Sequence, residues 1–549
     1  MRPQPLIALA LLATTATAAL QAETAPDGDA VPTGDPAPQR APTRLSLLVP
    51  DLLRSRSRWA QTPYHALWQA AAGSPVRAEL TELRLDILAE LEHTTWIDPA
   101  LILANAERFA LHAELVPASP PQVQAQLTVH DQTEAIWEAI KQQPGGRLDA
   151  DGNAIICPTG TTAIDGNTFT YLPPETEPHS YEHLREHFAG ADCALRLQAT
   201  ARSPQPIRSL LSALAASMGA FDAQMDWTLA TRFDERGSHS TIACRQLVLP
   251  PLLAPLEPAA LSPIPSNALA VLAWGIDGSR AAETVAGWRA LSPIIDQSIA
   301  AATDRGGLAT VLAELDGTGY LVITPGLVMP GIAISLPAGP AFDAWIEHTC
   351  AEADVVWDSE QARSAPTRLQ LPQATLPVAI YARRTADRWL FATNAAAISE
   401  MAAPETTGFA DSPLQTVFTA APGAAADGET PATAPAPPHL ALAIDLQSSA
   451  LLARSMLQMR AAFGGGDLPF AGRLLVATPA PALAHLPTAA LRLGPQSGDQ
   501  GLEIACDNLL TVLVPAAAMY LMIEEPHIRT APPADPPRAV PEAPAPPVE

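Results

Sequence analysis

The 549 residues carry 57 acidic against 32 basic side chains, a net charge of −25, and Lys141 is the one lysine. That balance excludes the basic footprint that nucleic acid requires and disfavours adsorption to anionic lipid headgroups. The five cysteines, Cys157, Cys193, Cys244, Cys350 and Cys506, form no C-x-x-C pair, which excludes a metal knuckle and a dense disulfide framework while leaving their pairing open.

The chain opens MRPQPLIALALLATTATAALQA, with Arg2 ahead of an apolar run and small residues after it. Residues 1–22 read as a secretory signal peptide, with Ala18 and Ala22 as candidate cleavage positions, and the apolar run is too short for a membrane span. The expected address is the periplasm or the extracellular space. Residues 23–43 are rich in proline and small residues and read as a linker. A short strand over Leu45–Val49 follows. Val76, Leu80, Leu83, Ile87 and Leu91 then step by three or four, the apolar stripe of an amphipathic helix.

Further along, LDADGNAII places Asp149, Asp151 and Asn153 where a calcium loop has its first ligands. Ala154 stands where that loop needs glycine and Gly160 where it needs glutamate, so Asp151-Gly152 reads as a hairpin turn instead. Asp165-Gly166 carries the same turn chemistry.

The stretch EPHSYEHLREHF holds the sharpest chemical signal, because His183, Glu186 and His187 spell H-x-x-E-H. HLREHF resembles the motif helix of the inverted-motif zinc peptidases, which implies His183 and His187 as metal ligands and Glu186 as the base that activates water. His179, His183 and His187 are spaced four apart, which predicts one helical face. The family takes its third ligand from a second helix, and the best-placed residue, Glu257, sits in APLEPA between prolines. The favoured reading of the stretch is a solvated polar helix, with no catalytic residue, no bound metal and no cofactor.

The chain also matches itself. WTLATRFDERGSHSTIACRQLVLP, from Trp227, lies over AALRLGPQSGDQGLEIACDNLLTVLVP, from Ala489, with Ile242-Ala243-Cys244 over Ile504-Ala505-Cys506 at an offset of 262 positions. Upstream, 193–219 parallels 440–466, 124–140 parallels 331–348, and 167–184 parallels 387–402. Trp137 and Trp345 fall in corresponding helices as core anchors, and the shared order predicts two copies of one unit, 44–255 and 266–515. Each copy reads as α+β, a largely antiparallel sheet packed by helices on one side. The place of the H-x-x-E-H helix is taken in the second copy by NAAAISEMAAPE, which has no histidine.

Residues 421–438 read as a Pro/Ala-rich insertion in the second copy and 526–549 as a disordered Pro-rich tail. The apolar run 508–523 is short of the roughly twenty residues a spanning helix needs, so no transmembrane anchor is expected. LSLLVPDLLRSRSRWAQTPYHALWQ and AVLAWGIDGSRAAETVAGW, with AIYARRTADRWLFATNAAAISEMA, resemble segments of large exported bacterial proteins of unknown function, a resemblance that implies no catalytic residues. The expected function is that of an exported binding or scaffold protein whose partner is an unknown protein or envelope component. The alternatives are a zinc hydrolase and a carrier of an apolar ligand.

Overall fold

A computed structural model describes residues 43–508, apart from 71–77, 79–81, 83–98, 116–121, 143–144, 158–159, 188–189, 200–224, 245–248, 292–299, 301–306, 327–329, 371–378, 404–408, 420–436, 463–469 and 496–500. The leader, most of the first linker, the 76–91 stripe, most of the 421–438 insertion, the tail and all but the first residue of the 508–523 run therefore lie outside the described residues. So do the side chains of His183, Glu186 and His187.

Among the described residues, twenty strands follow in chain order. The first half contains β1 (Thr43–Val49), β2 (Ala106–Leu115), β3 (Gln122–Val129), β4 (Arg147–Leu148), β5 (Ala154–Cys157), β6 (Gly160–Asp165), β7 (Thr168–Leu172), β8 (Cys193–Ala199), β9 (Met225–Asp234) and β10 (Gly237–Cys244). The second contains β11 (Leu253–Ala254), β12 (Ala270–Ile276), β13 (Gly317–Thr324), β14 (Gly331–Pro337), β15 (Thr367–Leu369), β16 (Ile380–Arg384), β17 (Arg388–Ala392), β18 (Leu440–Asp445), β19 (Thr488–Pro495) and β20 (Leu502–Asp507).

All pairings are antiparallel and join the strands into one sheet. From one end it runs β4-β5-β6-β7-β3-β2-β1-β8-β9-β10. It then crosses to the second half by β10–β20 and continues β19-β18-β12-β13-β14-β17-β16-β15. The two-residue β11 lies beside the end of β12, on the side that β18 occupies. The outermost strands are short. β4 has two residues and β15 three, and Val356 bridges to Gln370 just past β15. A second contact between the halves is made where the helix Ala480–Leu483 packs on the helix Pro63–Ala70.

Helices cover both faces of the sheet, where the sequence led us to expect one. Leu47 and Leu111 turn to the face where the helices Leu52–Gln61 and Thr133–Lys141 contribute Leu52, Ile136, Trp137 and Ile140. Their chain neighbours Leu48 and Ala110 turn to the opposite face, against Tyr181 and Leu184. The second half repeats the alternation. Trp389 packs with Phe342 and Ile346 of the helix Pro340–Glu352, and Leu390 with Ala397 and Ile398 of the helix Ala395–Met401. The physical reason is in the strands: successive side chains point to opposite faces, and runs such as LSLLV and RWLFA are apolar at both parities, so both faces have to be covered. Each large side chain fully buried this way contributes about 1.5–3 kcal/mol.

Local chemistry sets the element ends. Asp51 caps the helix Leu52–Gln61 by accepting the Arg54 N–H at 2.8 Å, and Asn394 caps Ala395–Met401 through the Ala397 N–H at 2.7 Å. Gly166 takes a positive φ of 58° at the first position of the two-residue β6–β7 loop, as a type II′ hairpin asks. In the 149–153 turn, Gly152 has φ 75°, and the Asp149 carboxylate accepts the N–H groups of Asn153 (3.0 Å) and Ala154 (3.1 Å).

Candidate functional site

The H-x-x-E-H stretch falls into two parts. Residues Glu182–His187 form a single short helix on the face of Leu48, Ala110 and Ala194. His179 precedes that helix, so it does not share a helical face with His183 and His187, contrary to the four-residue spacing. It is fixed instead by its backbone N–H, which donates to Gln124 Oε1 at 2.9 Å, while Gln124 Nε2 donates to the Glu177 carbonyl at 3.0 Å. Glu257 is not a neighbour of this helix. Its N–H donates to Thr318 Oγ1 on β13, and β13 is eight strand steps along the sheet from β1. Among the described residues, no group of three or more His, Cys, Asp or Glu side chains could hold a metal ion.

Around His179 the sheet gathers a polar cluster that the sequence reading missed. Its ring stacks on His112, with centroids 3.8 Å apart and planes 6° from parallel, and meets Tyr181 edge-on at 5.0 Å. Ser46 Oγ and His112 Nδ1, on directly paired residues of β1 and β2, are 2.8 Å apart. Glu114 Oε1 stands 3.8 Å from His112 Nε2. Serine, histidine and carboxylate are the components of an acyl-transfer triad, but the geometry is that of a structural link. Ser46 and His112 are each 4% exposed, the His179 ring covers His112, and the Arg44 Nε–H donates to Glu114 Oε1 at 2.7 Å. The signal was the alternation in RFALHAEL, where His112 and Glu114 share a face with Ala110. Finding Ser46 beside them needs the β1–β2 register, which no local pattern carries.

A second cluster lies at the seam between the halves. His239 on β10 is directly opposite Asp507 on β20, with Nδ1 2.8 Å from Asp507 Oδ1 and Nε2 3.1 Å from Asp234 Oδ1 at the end of β9. Asp507 is also bound by the Arg492 guanidinium of β19, and Asn508 ties the corner through N–H and amide bonds to Ser238 and Thr488. A buried carboxylate locks the first half in a related way. Asp192, fully shielded from solvent, accepts from the Phe233 N–H at 2.8 Å and Ser55 Oγ at 3.1 Å, with Arg58 Nη1 at 3.4 Å.

The cysteines are core residues here. No disulfide joins any two of them, and burial pushes the Cys193 thiol up to about 12 and the Cys506 thiol up to about 11. Trp137 is packed in the first core, 6.3 Å from Phe169, and Trp345 stacks on Phe342 at 5.9 Å. A recess of about 270 Å³ in the second half has Leu261, Phe409 and Phe418 in its wall and Ser262, Gln415 and Thr419 around them.

The fold of the described residues is α+β with one large antiparallel sheet. Comparison of the chain with protein-family models, with curated proteins and with solved structures gives no match. No helix among the described residues is long and apolar enough to cross a membrane.

Proposed function

We propose that the chain is an exported, non-enzymatic binding or scaffold protein of the periplasm or cell envelope, built from two tandem copies of one α+β unit. Strand order carries the two-copy reading. Outward from the seam the halves run β10-β9-β8-β1-β2-β3-β7-β6-β5 and β20-β19-β18-β12-β13-β14-β17-β16-β15, two lists that step through the chain in the same way. The self-match of the sequence supports it independently, since it puts Ile504 in the place of Ile242. Low identity between the copies agrees with divergence of surfaces on a kept core.

The scaffold reading is supported by the continuous sheet, which fuses the halves edge to edge. The leader supports export. Cell fractionation, with N-terminal sequencing of the purified protein, tests the address: a mature start after Ala18 or Ala22 is expected, and an intact Met1 in the cytoplasmic fraction contradicts it. In-cell crosslinking followed by reconstitution from pure components tests the binding role, with one stoichiometric partner as the expected result. One zinc per chain, lost together with peptidase turnover in His183→Ala, replaces this reading with the hydrolase. The recess beside Phe409 and Phe418 favours a second reading, a carrier of a small apolar ligand. Its volume lies just under the usual range for ligand sites, so a single ring or short acyl chain is the class to extract and identify.

A further inference from the structure

The seam carries a titratable group in a demanding arrangement. Both ring nitrogens of His239 face carboxylate oxygens, Asp507 Oδ1 at 2.8 Å and Asp234 Oδ1 at 3.1 Å. An ionised carboxylate has lone pairs and no proton to give, so each nitrogen has to be a donor, and only the imidazolium donates from both. In the neutral ring one nitrogen becomes an acceptor, and one of the two contacts turns repulsive. We propose that protonated His239 is a proton-dependent clamp across β10–β20, holding the two halves of the sheet together at and below neutral pH and loosening the seam on the alkaline side.

The surroundings suit that role. Asp507 is the direct register partner of His239 on β20, so the contact bridges the halves, whereas Asp234 holds the same ring to the β9 side. Among the other charged residues on the adjoining elements are Arg232, its register partner on β9, Glu235 and Arg236 in the β9–β10 turn, and Arg492 of β19. Arg492 is spent on Asp507, and the Arg236 N–H donates to Asp234 at 2.7 Å. Loss of the ring proton removes the positive charge that both the Asp507 and the Asp234 carboxylate face.

The Asp507 hydrogen bond raises the ring's pKa above the ordinary 6.5, burial opposes it, and attraction from Asp507 and Asp234 adds to the rise. The sign follows from linkage: a raised folded pKa gives stability that is full below 6.5 and is lost as pH climbs through the folded value. The seam equilibrium shifts by about tenfold for each pH unit between 6.5 and the folded titration point.

Two measurements test this on the full-length protein. NMR of ¹³C-histidine-labelled protein, with His239→Gln to assign the signal, should show the His239 ring titrating above 6.5, and above its own value in Asp507→Asn. A ring that titrates at or below 6.5 overturns the clamp. Hydrogen exchange then reads the seam in the wild type alone. After correction for intrinsic base catalysis, protection of the Ser240–Cys244 amides should fall between pH 6 and pH 9 relative to the β2–β3 amides. If the two sets keep a constant ratio over that range, the clamp is overturned whatever the variants do.

Discussion

Ile242 and Ile504 face each other as direct partners across the β10–β20 seam, and the self-match of the sequence pairs the same two residues. A residue opposite its own counterpart in an antiparallel pair lies where a two-fold axis perpendicular to the sheet would pass, so the proposed copies meet at equivalent edges. Both side chains are half-buried, and Ile504 packs with Trp227, Cys244 and Leu502. Ile242→Ala and Ile504→Ala should therefore each cost about 1–2 kcal/mol, near half the fully buried value, and by similar amounts. Urea denaturation checks it, and costs that differ by more than about threefold in free energy would speak against equivalent surroundings.

Asp192 gives the sharpest stability prediction. It is fully buried, and its carboxylate serves the Phe233 N–H, Ser55 and Arg58, while Arg54 Nε stands 3.8 Å away. Asp192→Ala leaves a buried N–H and two guanidinium groups without their anion, and should cost about 3–5 kcal/mol, where Glu283→Ala in an exposed pair with Arg280 costs about 0–1. Chemical denaturation of the two variants side by side separates the cases.

Close backbone approach makes two glycines unequal. A Cβ on Gly275 would meet the Ala254 carbonyl oxygen at 2.3 Å, while one on Gly319 would meet the Trp274 ring at 2.7 Å. A ring edge can rotate away and a paired strand cannot, so Gly275→Ala should cost more than Gly319→Ala within a range of about 1–3 kcal/mol. Thermal melts of both variants check the order.

Thiol chemistry should follow burial. Cys193 and Cys506, pushed up to about 12 and about 11, should resist alkylation in the native protein at pH 8, and the half-buried Cys157 and Cys350 should be labelled before them. Because these folded pKa values are raised, the stability they contribute is full below the ordinary thiol value of 9.0 and is lost as pH rises toward 11 and 12. Mass spectrometry of labelled peptides and an alkaline denaturation series read the two effects.

What the sequence shows and what it hides divide along physical lines. Gly152 and Gly166 announced their hairpins because a positive φ is a local demand. The self-match likewise announced the helices that carry Trp137 and Trp345. The contact of Ser46 with His112 and of His239 with Asp507 depends on register between strands far apart in the chain, and short-range patterns do not encode it. Helices on both faces were legible in principle in runs such as LSLLV, which a one-faced sheet would have broken with polar residues. The H-x-x-E-H spacing misled about His179 because periodicity presumes a helix that begins only at Glu182.

A sheet of this width is a template for adding strands, and every exposed edge invites another chain to hydrogen-bond to it. Among the described residues, the strands at both margins are short. The two residues of β4 and the three of β15 offer almost no ladder to a newcomer, and Val356 already bridges at Gln370, just past β15. The pairing of β10 with β20 leaves neither strand open to another chain, since β9 and β19 take their other sides.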